Sequence, residues 1–114
     1  MNRPGPIDRE RLLLLCQDPV EAYELLEFAI DSLSRIIERM ASAIERADSG
    51  ELKLALHELK GAAGNVGAEE LAGLAAIVEN GLTTGSQLSA LDVPLPEFRA
   101  ALERLKAVAL EFAP

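Results

Sequence analysis

A single histidine, His57, stands in this chain of 114 residues. The residues at helical spacing around it decide what chemistry it could do. Lys53, Lys60, Gly61 and Gly64 lie at i−4, i+3, i+4 and i+7 from it, so on a helix all share its face. Leu54, at i−3, adds an apolar residue to the same face. The core stripe of this segment is Leu52, Leu56, Leu59, Ala63 and Val66, with Ala55 and Ala62 alongside. At about 100° per residue, His57 falls roughly 150° from the middle of that stripe. The histidine is therefore expected at the surface, not in the core. Gly in a helix interior costs about 1 kcal/mol relative to Ala, so two of them beside the one imidazole suggest that side-chain bulk is unwelcome there. An exposed imidazole, a cation one turn on, cleared space and an apolar contact together describe a docked reaction site. Periodicity alone leaves a plainer reading open: a solvated surface His, a solvated Lys60, and glycines that mark a fraying helix end.

The elements that must position these residues are all helical. Ala, Leu and Glu dominate, aromatics make up 4%, and no run alternates with the period of a strand. Residues 1–6 carry two prolines and a glycine and are expected to be loose, leaving 7–114 as one domain. A short helix is predicted over 7–16. Asp18 and Pro19 form an N-cap and N1 pair that starts a long helix to about residue 47. Its apolar seam is Leu26, Ile30, Leu33, Ile37, Met40, Ile44 and Ala47. Asp48 or Ser49 caps the His57 helix, predicted over 50–66, and Gly67 suits its left-handed C-terminal cap. A fourth helix is predicted over 68–80, ended by Asn80 and Gly81, with Leu71, Leu74, Ala75 and Val78 inward. A loop over 82–93 leads to a last helix opened by Pro94 and Pro96, with the stripe Phe98, Leu102, Leu105, Ala109 and Phe112. Four amphipathic helices with short connections predict an antiparallel up-down-up-down bundle. The short first helix would lie across one end or flank. Its run Leu12–Leu15 is apolar all round, so it is either a bundle cap or part of a docking patch.

Composition excludes several classes of function. Nineteen acidic against eleven basic residues give a net charge of −8, which disfavours nucleic acid and anionic membrane surfaces as partners. One cysteine and one histidine exclude an internal disulfide, a Cys-based zinc site and a multi-His metal site. They also exclude Ser-His-Asp catalysis with a spare base. Cys16 reads as a small buried residue. The densest apolar run is too short for a membrane span or a signal peptide, so a cytoplasmic location is expected. No Gly-rich nucleotide loop and no pocket of paired acidic residues with a lysine is visible.

The segment His57-Glu58-Leu59-Lys60-Gly61-Ala62-Ala63-Gly64-Asn65-Val66-Gly67-Ala68, followed by Glu69-Glu70-Leu71, resembles the signature of histidine-containing phosphotransfer domains. The order of elements around it, from Ile7 to Phe112, is similar as well. The resemblance implies a phosphorelay intermediate without catalysis of its own. His57 would take a phosphoryl group from a receiver domain's aspartyl phosphate and pass it to another receiver. Lys60 would offset charge on the phosphoryl oxygens, and Gly61 and Gly64 would let the partner approach. The partners implied are response-regulator receiver domains and a sensor histidine kinase, met by a monomer. No cofactor is implied, Mg²⁺ belonging to the receiver. A hairpin centred on Gly67 puts Glu79 roughly opposite His57. There it is either an acceptor for Nδ1–H that fixes the imidazole tautomer or a plain helix-end charge. Two alternatives are a phosphotransfer domain of a larger hybrid or chemotaxis-type kinase and an unphosphorylated helical adaptor. The small residues Val66 and Ala68, where chemotaxis-type kinases carry bulky aromatics, weigh against that type. An intact His57 and Lys60 weigh against the adaptor.

Overall fold

The structure, a computed structural model, describes residues 4–83 and 92–114. Five helices follow in order: α1 (Arg9–Leu15), α2 (Pro19–Glu45), α3 (Ser49–Asn65), α4 (Glu69–Thr83) and α5 (Leu95–Leu110). Helix α3 packs against both α2 and α4, and α2 also packs against α5. Of the seams between the four long helices, α4–α5 is the thinnest. The four long helices thus close into an antiparallel bundle, and α1 lies across the end where α3 turns into α4.

Local sequence sets each start. Asp8 accepts the Arg11 N–H (3.2 Å), Asp18 the Glu21 N–H (2.9 Å) and Asp48 the Glu51 N–H (3.0 Å). Each satisfies one of the amides a helix N-terminus leaves unpaired. The two helix ends that flank α3 close in the same way. Asp48 N–H bonds the Ala43 carbonyl (2.8 Å) and Ala68 N–H bonds the Ala63 carbonyl (2.8 Å). Both turns place their middle residue at positive φ: Ala47 at 54° and Gly67 at 76°. This is the Schellman arrangement, with glycine in one turn and alanine in the other.

Burial follows the stripes read from the sequence, with small shifts. Leu52, Leu56, Leu59, Ala63 and Val66 of the α3 segment are buried, and so are Leu26, Leu33, Ile37 and Met40 of α2. Ile30 and Ile44 are half-buried. Ala47 leaves the predicted seam altogether, because the left-handed turn that ends α2 carries it out to solvent. Ala22, Ala29 and Ala43 take up the remaining inward positions of α2. Helix α1 is shorter than predicted, since Asp8 caps it from outside and Cys16 forms its C-cap. Of its leucines, Leu12 is buried while Leu13, Leu14 and Leu15 are exposed. Helix α4 does not stop at Asn80-Gly81 but runs to Thr83. Gly81 has no positive φ, and Leu82 packs against the core, which carries the helix one turn further. The rest of the predicted 82–93 loop, at 84–91, and residues 1–3 of the predicted loose N-terminus lie outside the described residues.

Candidate functional site

The outer face of α3 carries His57, as the phase of its stripe predicts. Its side chain is 68% exposed. Nδ1 lies 3.0 Å from Glu79 Oε2 on α4. Nε2 has no hydrogen bond to a described residue and faces solvent. With Glu79 ionised, the short Nδ1 contact favours the tautomer that carries its proton on Nδ1. Nε2 then keeps its lone pair.

Lys60, one turn on, also reaches Glu79: its Nζ donates to Oε1 at 2.6 Å. Glu79 is the less exposed centre of this group, at 19% against 40% for Lys60. The Lys60 ammonium beside it is the main cause that holds the Glu79 carboxyl below its ordinary pKa. Burial opposes this, and the His57 contact adds to it. The sequence expectation that Glu79 stands opposite His57 therefore matches the geometry. Lys60 is found paired to the same carboxylate and not standing alone.

Gly61 and Gly64 sit inside an unbroken helix, neither with positive φ. A Cβ built on either meets nothing within 4 Å. Packing inside the molecule therefore gives no reason for glycine at either place. A helix-end role gives none at Gly61, four residues before the end of α3 at Asn65, whereas Gly64 stands in the last turn. Leu54 is 51% exposed on the same helix. The contrast with Gly67 is instructive. There a Cβ would stand 3.0 Å from the Asp8 carbonyl oxygen, and the Asp8 N–H donates to the Gly67 carbonyl at 2.6 Å. Gly67 is needed both for its backbone angle and for seating α1.

The docking of α1 brings in a residue that the sequence reading passed over. Arg11 donates from Nε to the Gly64 carbonyl at 3.0 Å, across 53 positions of sequence. That carbonyl lies in the last turn of α3 and also accepts the Gly67 N–H at 3.2 Å, so Arg11 takes its second lone pair. The sequence signal is faint. Asp8 as a cap fixes the phase of α1, but its packing on Gly67 must be known before Arg11 can be placed.

Among the described residues, no group of three or more His, Cys, Asp or Glu side chains is placed to hold a metal ion. No helix there is long and apolar enough to cross a membrane.

Comparison with known proteins covers the same helices. The family model described as Hpt domain matches residues 24–108. The chain is similar to the crystal structure of the HPT domain from the Hpt sensor hybrid histidine kinase from Shewanella. They share 26% identity over 80% of this chain and 75% of that one, with a TM-score of 0.58. No curated protein matches the sequence.

Proposed function

This chain belongs to the Hpt domain family, whose members carry phosphoryl groups on histidine in two-component signalling, and we propose that His57 is its phosphoryl acceptor. The donor is the aspartyl phosphate of a receiver domain, and a second receiver takes the group on. The observation that carries this reading is the orientation of the imidazole. Nδ1 is held at 3.0 Å by Glu79 while Nε2 is left to solvent.

In transfer, the Nε2 lone pair attacks phosphorus as the bond to the aspartyl oxygen breaks. The electron pair of that bond leaves with the receiver's carboxylate. The proton on Nδ1 stays in place, and the Glu79 carboxylate offsets the positive charge that develops on the ring. Phosphoryl transfer of this kind depends mainly on positioning and charge stabilisation. Lys60 supports Glu79 before transfer. After transfer its flexible stem lets the ammonium turn toward the phosphoryl oxygens. The open space over Gly61 supports a role as clearance for the receiver. The space over Gly64 is equally open, with Arg11 bonded to its carbonyl oxygen, and Leu54 offers an apolar contact at the other end of the face. The domain then acts as a carrier without catalysis of its own, and Mg²⁺ sits on the receiver.

The test is incubation with phosphorylated receiver domains, followed by assay for acid-labile, base-stable label. Label on the parent and none on His57→Gln is expected; label that persists on His57→Gln overturns the assignment. The similar solved structure comes from a hybrid sensor kinase, which favours a second reading of this chain as one module of a longer kinase. Immunodetection of the native polypeptide separates the two, at about the 12.2 kDa of this chain or at the mass of a kinase.

A further inference from the structure

Eight of the ten described lysines and arginines are ion-paired to a carboxylate: Arg9, Arg35, Arg39, Arg46, Lys60, Arg99, Arg104 and Lys106. In a chain with nineteen acidic residues that is what proximity alone would produce. Two cations are different. Lys53 has no ion pair among the described residues, and Arg11 spends only Nε, on the Gly64 carbonyl. Both side chains are exposed. Both belong to the His57 face. Lys53 lies one turn before the histidine, and Arg11 is pinned at Gly64, two turns beyond it. About 16 Å of helix separates these two points, and His57 lies between them.

We propose that Lys53 and Arg11 form a two-point electrostatic contact for carboxylates that flank the phosphorylated aspartate of the partner receiver. The proposal rests on the phosphocarrier reading of His57 and names the chemistry of the surface that must approach it. Among the described residues, no carboxylate pairs with either cation. Their charge is therefore available to a partner without breaking an existing pair. Glu79, between them, is already engaged by His57 and Lys60. The His57 face thus carries two cations outside any ion pair of the described residues, on a molecule of net charge −8. Complementary charge across an interface chiefly raises the association rate and selects the partner, and the acidic remainder of the surface repels an acidic receiver that approaches elsewhere. Arg11 is the better fixed of the two. Its Nε bond orients the guanidinium and leaves both terminal nitrogens for a carboxylate, the geometry in which arginine is strongest.

The experiment uses the full chain. Phosphoramidate, a small phosphodonor that needs no docking surface, first loads the histidine. The loaded protein is then discharged onto a panel of receiver domains, and the fastest acceptor is used throughout. For the parent, Lys53→Gln, Arg11→Gln and the double variant Lys53→Glu/Arg11→Glu, the second-order discharge rate is measured from low to high salt. Each rate is normalised to that variant's own loading by phosphoramidate. The normalised rate is expected to fall about tenfold or more in the double variant at low salt, the lower end of steering effects, and to converge with the parent at high salt. Arg11→Lys, which keeps the charge, is expected to recover most of the rate. Circular dichroism confirms that each variant is folded. A normalised rate within twofold of the parent at low salt, in folded double variant, overturns the proposal and leaves the phosphocarrier reading standing. Failure of the parent itself to load at His57 overturns that reading and this one with it.

Discussion

The two flanks of α3 are built on the same plan with the charges exchanged. On the α2 side one cation gathers two carboxylates: Arg39 bonds Glu51 through Nε and Nη2 (3.1 and 2.9 Å) and also bonds Glu58. On the α4 side one carboxylate gathers two cationic or polar nitrogens, as Glu79 holds Lys60 and His57. The first arrangement commits its groups fully to joining α2 to α3. The second leaves one atom uncommitted, Nε2 of His57. Similar geometry between neighbouring helices can therefore fasten a bundle or present a nucleophile. The difference lies in which residue keeps a lone pair facing water.

Replacing the centre of each group sharpens this contrast. Glu79→Gln removes the charge that holds Nδ1–H and frees the ring to turn. Phosphotransfer through His57 is expected to slow by about tenfold or more, the scale of effect that loss of orientation produces. The fold should lose only about 0.5–1 kcal/mol, as partly exposed pairs do. The sign of the pH dependence follows from the lowered Glu79 pKa. A depressed folded-state value means that the pairing stabilises fully above the carboxyl's ordinary pKa of 4.5 and fades as pH falls through the lower folded value. Urea unfolding from pH 7 down to pH 3 should show parent and Glu79→Gln converging at the acid end. A gap that stays constant over that range would mean that the carboxylate's charge is not what stabilises.

The opposite flank should respond in the opposite way. Arg39→Gln is expected to cost about 1 kcal/mol of stability by releasing Glu51 and Glu58, with transfer rates through His57 unchanged. A fall in transfer comparable to that of Glu79→Gln would break the division between a fastening flank and a presenting flank. Gly61 offers a second check on the presenting side. Gly61→Gln should fold, since a Cβ there meets nothing, yet slow transfer from a receiver. Full-speed transfer with a folded domain would remove the clearance argument.

Much of this face was legible because helical periodicity acts through large residues. Leu52, Leu56 and Leu59 fix the phase of α3, and that phase alone turns His57 outward. Glu79 followed by counting back from the turn at Gly67, whose left-handed conformation glycine signals. The features that were missed depend on small or distant residues. Ala22, Ala29 and Ala43 complete the buried side of α2, but alanine is found on either face of a helix and carries little phase information. Asn80-Gly81 looked like a stop signal, and the packing of Leu82 overrode it. Arg11 reaches Gly64 only because α1 docks across the bundle end, which no local pattern encodes. Ala47 fits the end of the α2 seam by its spacing, and nothing in its side chain announces the left-handed turn it adopts.

That turn supplies the smallest effect and the most direct comparison of the two ends of α3. Both ends of the helix are flanked by a Schellman closure, with Gly67 at φ 76° and Ala47 at φ 54°. A left-handed residue with a Cβ costs roughly 1–2 kcal/mol, which Ala47 bears and Gly67 does not. Ala47→Gly removes that strain but raises the entropy of the unfolded chain, which offsets part of the gain. The net expectation is a stabilisation of about 0.5 kcal/mol, with phosphotransfer unaffected because the turn lies about 15 Å from His57 along the helix. Gly67→Ala should do the reverse and more. It adds left-handed strain and drives a Cβ to 3.0 Å from the Asp8 carbonyl oxygen, so it should lose well over 1 kcal/mol and loosen α1. Loosening α1 also frees Arg11 from Gly64. Thermal unfolding of the two variants against the parent measures both signs. If Ala47→Gly proves destabilising, the bonds from Asp48 to Ala43 and from Ala47 to Ile44 do not compensate the added freedom of the chain, and the two turns are not energetically equivalent closures of one design.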